Sequence, residues 1–561
     1  VNIPRVLVAR SLLPARAQFD IRRSALMAVV LLPGLAFVVY PLWAILHQSF
    51  LGPDGKLGLD NYSRYFTDSA FLKVIGNSFA VTLPATVVTL AIAYVFAYAL
   101  HRSAIPLKRL WYLLVMVPLF APSLVQALGL QLLLGRNGFV NRTLGTEFDI
   151  YGYWGIFIAD TIYALPHAIL ILSAALTLAD ARLFESARML GASEWRIFRT
   201  VTLPATRYGL VSATFIVFTI VITDFGNPMV IGGDFNVLAT EIYNQVSGQA
   251  NFSLGAVIGI VLLIPAAVAV LIERRVARRQ AATITAGAVP LKPTRQFTVD
   301  TALLGFVCLV CLCILSVVGI VVYASFVRLW PYNLSFTLSN YDFDVQGGYE
   351  PFLTSLKMAL MAATFGVIAT TVAAYVAQNT RAVLGRLLYF VSVLPAAVPG
   401  MVLGLGYIFA FNNPENPVYV IYGTVFMLAL NTVYHYHAQG FLTATTALKQ
   451  IDVTFDEASE MLGAGFLLTF WKVHLPIILP SLVGLGVFFF MRSMVTLSGV
   501  IFLVTPGSNL AAVSVLLLDD SGETTQAAAF STLIMLFVVA VLVVFQMILR
   551  VAGFRDVQLI R

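Results

Sequence analysis

Charged side chains are scarce in this sequence, and the few that interrupt its apolar runs are where chemistry is to be sought. Asp224 sits in Thr223-Asp224-Phe225-Gly226-Asn227-Pro228, Asp160 falls within another apolar run, and Arg492 stands in Phe490-Met491-Arg492-Ser493-Met494-Val495-Thr496. A charge in apolar surroundings is costly and marks ion binding, a polar route or a buried pair. Arg492 suits an anion, Asp224 a cation or Arg492 itself, and Asp160 has the same ambiguity. Asp224, Asn227, Arg492, Ser493 and Thr496 are therefore expected along a polar route, with a structural ion pair or a snorkelling side chain as the alternative. His435 and His437 are two apart, so on a helix they point to different sides and read as packing groups rather than a metal pair. Cys308, Cys311 and Cys313 lie in one apolar run without polar partners and read as small buried hydrophobes. No metal site is expected. No G-x4-G-K-[ST] occurs, so the chain has no P-loop with which to cradle a nucleotide.

The elements that position these residues follow from composition. Of 561 residues, 59% are hydrophobic and 11% charged, against roughly a quarter charged in soluble domains. The net charge of +7 is dispersed between apolar segments, whereas nucleic-acid binding needs a clustered patch. The fold class is an all-α polytopic membrane protein. Twelve apolar runs near the length of a spanning helix occur at about 25–48, 76–100, 110–134, 151–177, 209–229 and 253–272, then 301–327, 354–378, 387–411, 420–443, 481–503 and 525–549. The first is too long for a signal peptide and lacks an A-x-A-type cleavage site, so it reads as a retained helix. With the N-terminus inside, inner segments carry 26 Lys and Arg and outer segments 6, which predicts two cytoplasmic termini. The polar stretch opening at Glu273-Arg274-Arg275 divides the chain: an N-terminal segment 1–24, a first six-helix half 25–275, a linker 276–300 and a second half 301–561.

The halves repeat. Asp180 to Pro204 and Asp452 to Pro476 align at an offset of 272, sharing Asp, Glu, Met, Leu, Gly, Ala, Phe, Leu and Pro in register. Upstream, at 277, Tyr98 matches Tyr375, Pro118 matches Pro395, Pro122 matches Pro399 and Gly129 matches Gly406. Downstream, Asn236 matches Asn509 at 273. Both halves start and end on one side, so the repeats are parallel. Within each repeated loop, Ser186/Ala187 and Ala458/Ser459 are small enough for another surface to approach. Gly191 and Gly463 break a helix, since glycine accepts positive φ at its C-terminus. Leu203-Pro204 and Leu475-Pro476 end a second segment, because proline lacks the donor. Each loop is thus predicted to be a short helix-turn-helix knob.

The pattern E-[AS]-[AS]-x3-G-x9-[IV]-x-L-P resembles the EAA loop of binding-protein-dependent ABC import permeases, with Ser for Ala at 186 and 459 and Val for Ile at 201 and 473. Two copies resemble the fused permeases in which one chain supplies both halves. The resemblance implies that Glu185, Ser186, Ala187, Gly191, Leu203 and Pro204 form one coupling element, and Glu457, Ala458, Ser459, Gly463, Leu475 and Pro476 the other. It implies two copies of an ABC ATPase subunit on the cytoplasmic side, holding ATP and Mg that this chain does not bind. It further implies a periplasmic substrate-binding protein, a bacterial inner-membrane location in contact with lipid, and no enzymatic activity in this chain. Residues 222–233, 236–240 and 493–498 look most like 2-aminoethylphosphonate permeases, related to ferric-iron permeases, which are the second reading. A gradient-driven secondary transporter with a proton site at Asp160 or Asp224 is the alternative of a different class.

Overall fold

The computed structural model describes residues 21–551 except 53, 178–180, 284–294, 344–346 and 381. Most of the expected N-terminal segment, the centre of the expected linker, Asp180 and the last ten residues lie outside the described set. Among the described residues, nine helices are long and apolar enough to cross a membrane, and one bent pair raises the number to ten. All twelve apolar runs contain helix, but the third, ninth and tenth are interrupted, the fifth breaks between Ile222 and Gly226, and the helix of the eleventh ends at Met494. The third is split into Lys108–Val115, Val117–Phe120 and Leu124–Leu134. The ninth, Val383–Ala397 with Gly400–Phe411, bends by 113°. The repeated prolines cause both breaks. Ala121 before Pro122 (φ −114°, ψ 148°) and Val398 before Pro399 (φ −104°, ψ 116°) are extended, because the proline ring excludes the helical conformation from the residue preceding it. The tenth run is divided at Tyr436 into Val425–His435 and His437–Lys449.

Two expectations change. Residues from Glu273 do not open a loop; the helix Phe252–Thr283 carries the sixth span into that stretch. The segment Glu273-Arg-Arg-Val-Ala-Arg-Arg-Gln-Ala-Ala is rich in helix formers and meets no glycine or proline until Gly287. Likewise Pro204 and Pro476 do not end a helix. Each sits in the first turn of the fifth span (Leu203–Ile222) or the eleventh (Leu475–Met494). A π-turn, Phe198–Thr202 or Phe470–His474, leads into it. Proline is tolerated in a first turn, where its missing N–H costs least.

The first helix of each half packs on the other half. A Cβ on Gly129, in the third span, would lie 2.2 Å from the Val317 carbonyl oxygen of the seventh span, Phe297–Ser325. One on Gly406, in the ninth, would lie 2.8 Å from the Pro41 carbonyl oxygen of the first span, Leu26–Ser49. Tyr407 Oη also donates to the Phe37 carbonyl at 3.0 Å. The aligned glycines therefore admit a reciprocal helix exchange that ties the halves together.

Further repeats appear only in three dimensions. After the first span, Asn61 Nδ2 donates to the carbonyls of Ser49 and Leu51, and Tyr62 Oη meets Ser49 Oγ at 2.8 Å. After the seventh, Asn340 Nδ2 donates to Ser325 and Val327, and Tyr341 Oη meets Ser325 Oγ at 2.9 Å. Leu238 N donates to Ser78 Oγ and Ala511 N to Ser355 Oγ, each at 2.8 Å. Each buried carbonyl or amide left at a span end is thus satisfied by a side chain from the same half.

Candidate functional site

The repeated loops fold alike. The helix Ala181–Met189 ends with Gly191 at φ +73°, and Thr454–Met461 with Gly463 at φ +74°. In the first copy Ala192 N donates to the Ala187 carbonyl at 3.0 Å and Gly191 N to Arg188 at 2.9 Å; in the second, Ala464 N donates to Ser459 and Gly463 N to Glu460, both at 2.9 Å. This is a Schellman closure, in which a left-handed residue lets the chain cap its own helix. Asp452 accepts the Thr454 N–H at 2.9 Å, and that bond together with the Thr454 hydroxyl holds its carboxyl below the usual range. Each knob is fastened differently: Arg188 pairs with Glu194 at 3.1 Å, and Asp456 with His474 Nε2 at 3.1 Å. Tyr98 and Tyr375, at the ends of the second and eighth spans, pack against Phe198 and Phe470 of the π-turns, with ring centroids 5.9 and 4.7 Å apart.

What the knobs present is apolar. Met189 and Leu190 are 88% and 87% exposed, and Met461 and Leu462 are 89% and 87% exposed. Four large apolar side chains at the tips of two polar helices mark a surface built to be covered. Glu185, Ser186, Glu457 and Ala458 are exposed beside them, and Ala187 is half-buried. Ser459 is buried beneath its helix, so it does not offer the open approach expected of it. Leu203, Pro204 and Pro476 are exposed and Leu475 is half-buried at the starts of the following spans. The in-register Met-Leu pair was visible in the sequence, but its exposure was not.

Within the first half lies a buried polar cluster. Asn227 Nδ2 donates to Asp160 Oδ1 at 3.0 Å, Asn227 N donates to Asp224 Oδ2 at 3.0 Å, and Ala127 N donates to Asn227 Oδ1 at 3.1 Å. Asp224 also stands close to Ser123 and Asp160, so two carboxyls share one buried site. The other half repeats the frame without the acids: Asn431 Nδ2 donates to the Gly499 carbonyl at 2.6 Å. A Cβ on Gly226 would meet Ser123 Oγ at 2.3 Å, and one on Gly400 would meet Ser498 Oγ at 2.6 Å. At the repeat offsets, Ser123 corresponds to Gly400 and Gly226 to Ser498, so the glycine and the serine have exchanged places.

Arg492 does not pair with Asp224. Its guanidinium lies 4.9 Å from the Tyr436 ring centroid and within electrostatic reach of Tyr163 of the fourth span (Tyr153–Thr177). His167 and His435 stand close enough to feel its charge. Among the described residues Arg492 has no carboxylate within salt-bridge distance. Stacking on an aromatic ring holds it and leaves its charge without a carboxylate partner among the described residues. The structure thus brings Asp160, Asp224 and Asn227 together with Ser123, and places Arg492 across the interface. Ser493 and Thr496 do not join them: Ser493 Oγ donates back to the Phe489 carbonyl at 2.6 Å, and Thr496 is buried near Gly499. Sequence reading missed Tyr163, Tyr436 and Ser123, whose roles depend on contacts between distant spans. His437 stacks on Tyr434 at 5.6 Å, as a packing group does. Cys311 is buried, Cys308 is half-buried and Cys313 is exposed on the apolar surface. No group of three His, Cys, Asp or Glu able to hold a metal occurs among the described residues.

The profile of the family described as binding-protein-dependent transport system inner membrane component matches residues 90–282 and again 366–552. The chain belongs to that family. It is a membrane-embedded transport permease rather than an enzyme, with the permease unit present twice. It is 29% identical over 547 residues to the ferric transport system permease protein FbpB of Actinobacillus pleuropneumoniae, covering 94% of this chain and 78% of the relative. A putative ferric transport system permease protein of Haemophilus influenzae is 30% identical over 499 residues, covering 86% and 78%. The spermidine/putrescine permease PotB of the same species is 27% identical over 260 residues, covering 43% of this chain and 88% of its own length. The family match supports the binding-protein-dependent importer over the alternative of a gradient-driven carrier. The two family matches fall one in each half of the internal repeat.

Proposed function

We propose that this permease passes a small anionic solute, 2-aminoethylphosphonate in the first instance, from a periplasmic binding protein into the cytoplasm. Two copies of a separate ABC ATPase subunit, which carry ATP and Mg, dock on the Met189-Leu190 and Met461-Leu462 knobs and drive the cycle. The basic face is cytoplasmic, with both termini on that side. The halves run 25–275 and 301–561, joined by 276–300, although the sixth-span helix continues to Thr283.

The observation that carries the anionic reading is Arg492: a cation on the face between the halves, stacked on an aromatic ring, with no acid paired to it. A phosphonate offers the oxygens that such a guanidinium binds best. The nearby Asp160–Asp224–Asn227 group would meet an ammonium at the solute's other end. The named relatives favour a second reading, ferric iron, in which the metal travels as cargo; a ferric–anion complex would also satisfy Arg492. Uptake of labelled 2-aminoethylphosphonate and of ferric iron into proteoliposomes holding the chain, its ATPase and its binding protein separates the two. ATP-dependent phosphonate uptake supports the first reading, and iron uptake alone replaces the cargo while keeping the machine.

A further inference from the structure

A cleft of about 880 Å³ opens toward the basic face between the ends of the second and fourth spans, the first piece of the third and the last span, Thr524–Val551. Three cationic side chains, Lys108, Arg109 and Arg550, line it beside His101. No acidic side chain does so among the described residues. Asp300, outside the lining, acts on Lys108 through its charge, while its two oxygens accept the N–H groups of Ala104 and Gln296 at 3.0 and 2.9 Å; Arg109 and Arg550 have no such acid beside them among the described residues. Lys108 Nζ spends one of its three protons on the Ser103 carbonyl, at 2.6 Å. Arg109 and Arg550 are exposed and form no ion pair among the described residues. Like charges gathered around a cavity repel one another and are stabilised when an anion enters.

A second observation points the same way. Ser173 is 7% exposed, lines the cleft, and its Oγ has no hydrogen-bond partner. Other hydroxyls on these helices, such as Ser78 and Thr161, donate to the carbonyl four residues back at 3.0 and 2.7 Å. Ser173 does not, so a buried donor is left over inside a basic cavity, an arrangement that costs free energy until a ligand accepts from it. The placement also fits a solute route. Tyr163, His167, Leu170, Ala174 and Thr177 follow the 4-3-4-3 spacing of one helix face, so the stripe that gives Tyr163 to Arg492 also lines this cleft.

We propose that the cleft is an oxyanion site for a phosphoryl or phosphonyl group, with Arg109, Arg550 and Lys108 supplying charge and Ser173 Oγ a hydrogen bond. Its apolar wall, Leu100, Leu113 and Leu170, accommodates a small organic anion or the shoulder of a lipid headgroup. The volume lies within the range of small-molecule sites. The site does not depend on which cargo the permease carries.

The test uses the full chain in nanodiscs of phosphatidylcholine, titrated with inorganic phosphate and read by phosphorus NMR. In parallel, native mass spectrometry measures phosphatidylglycerol retained from mixed nanodiscs. Wild type is compared with Arg109→Gln/Arg550→Gln and, separately, with Ser173→Ala, each checked by its thermal unfolding. The expected result is that the double variant loses about tenfold or more in binding of at least one probe, and Ser173→Ala loses less. Loss of phosphate binding alone identifies a free oxyanion, and loss of phosphatidylglycerol alone a lipid headgroup. Binding of neither probe by wild type, or equal binding by wild type and the folded double variant, overturns the proposal.

Discussion

Arg492 and Tyr163 belong to different halves of the chain, and the guanidinium stands close enough to act on the phenol. The contact joins the eleventh span to the fourth across the interface between the repeats. It places an uncompensated cation beside the face of the fourth span that descends toward the basic end. Rocking of one half against the other would make and break this contact.

Replacing Arg492 by Ala is expected to reduce transport of an anionic solute by about tenfold or more, since a charge-assisted hydrogen bond is worth roughly 1.5–3 kcal/mol. Arg492→Lys should not restore it, because an ammonium cannot reproduce a stacked, planar guanidinium. Uptake at equal protein levels reads the outcome, and full activity of the Ala variant would make Arg492 structural.

The exchanged Gly226/Ser123 and Ser498/Gly400 contacts make a double-mutant prediction. Gly226→Ser alone forces a side chain into Ser123 Oγ and should lower the melting temperature. Adding Ser123→Gly reproduces the arrangement of the other half and should recover much of the loss, a coupling of about 1 kcal/mol or more. Simple addition of the two effects would show that the sites are independent.

Glycines of the same repeat should differ in cost for physical reasons. Gly191→Ala and Gly463→Ala meet nothing within 4 Å and pay only for a left-handed residue, about 1–2 kcal/mol. Gly129→Ala would drive a methyl to 2.2 Å from the Val317 carbonyl oxygen and should prevent the exchanged helix from seating. Detergent-solubilised yield and thermal unfolding distinguish a mild loss from a severe one.

The carboxyl of Asp519, at the end of the helix Ala511–Asp520, is pushed up to about 7 by burial and by Asp520 beside it. Tyr151 also lies within range of its charge. An acid whose folded value exceeds its unfolded value of about 3.9 contributes stability that is complete below pH 4 and is lost as pH rises through about 7. Stability relative to Asp519→Asn should therefore fall between about pH 4 and pH 7 and level off above. Parallel unfolding curves for the two proteins over that range would contradict the assignment.

Much of this architecture was legible in local sequence. Apolar length located the nine long apolar helices and the bent pair among the described residues, and the repeated prolines marked where the third and ninth runs break. The EAA-like register located both knobs, including the glycines that close them. The helix exchange was not legible: Gly129 and Gly406 aligned, but nothing local says that each faces the first helix of the other half. Nor does an arginine in an apolar run reveal whether its partner is a carboxylate or a tyrosine nearly 330 residues away. Exposure was equally hidden, since Met-Leu reads as core until the helix carrying it is seen to stand at the surface.

Leu190→Ser combined with Leu462→Ser should leave the chain inserted and weaken its association with the ATPase. Each leucine buried at a contact is worth roughly 1.5–3 kcal/mol, so co-purification should fall by tenfold or more. An unchanged yield of bound ATPase would place docking elsewhere.

Two symmetric knobs that transmit ATP-driven movement to the spans should uncouple when both of their glutamates are removed. Proteoliposomes containing the ATPase, the binding protein and either wild-type chain or Glu185→Ala/Glu457→Ala test it by recording hydrolysis and solute uptake together. The expected result is hydrolysis that persists while uptake is lost in the double variant. Uptake that continues unchanged, or that proceeds in the wild type on an ion gradient without ATP, would contradict the account.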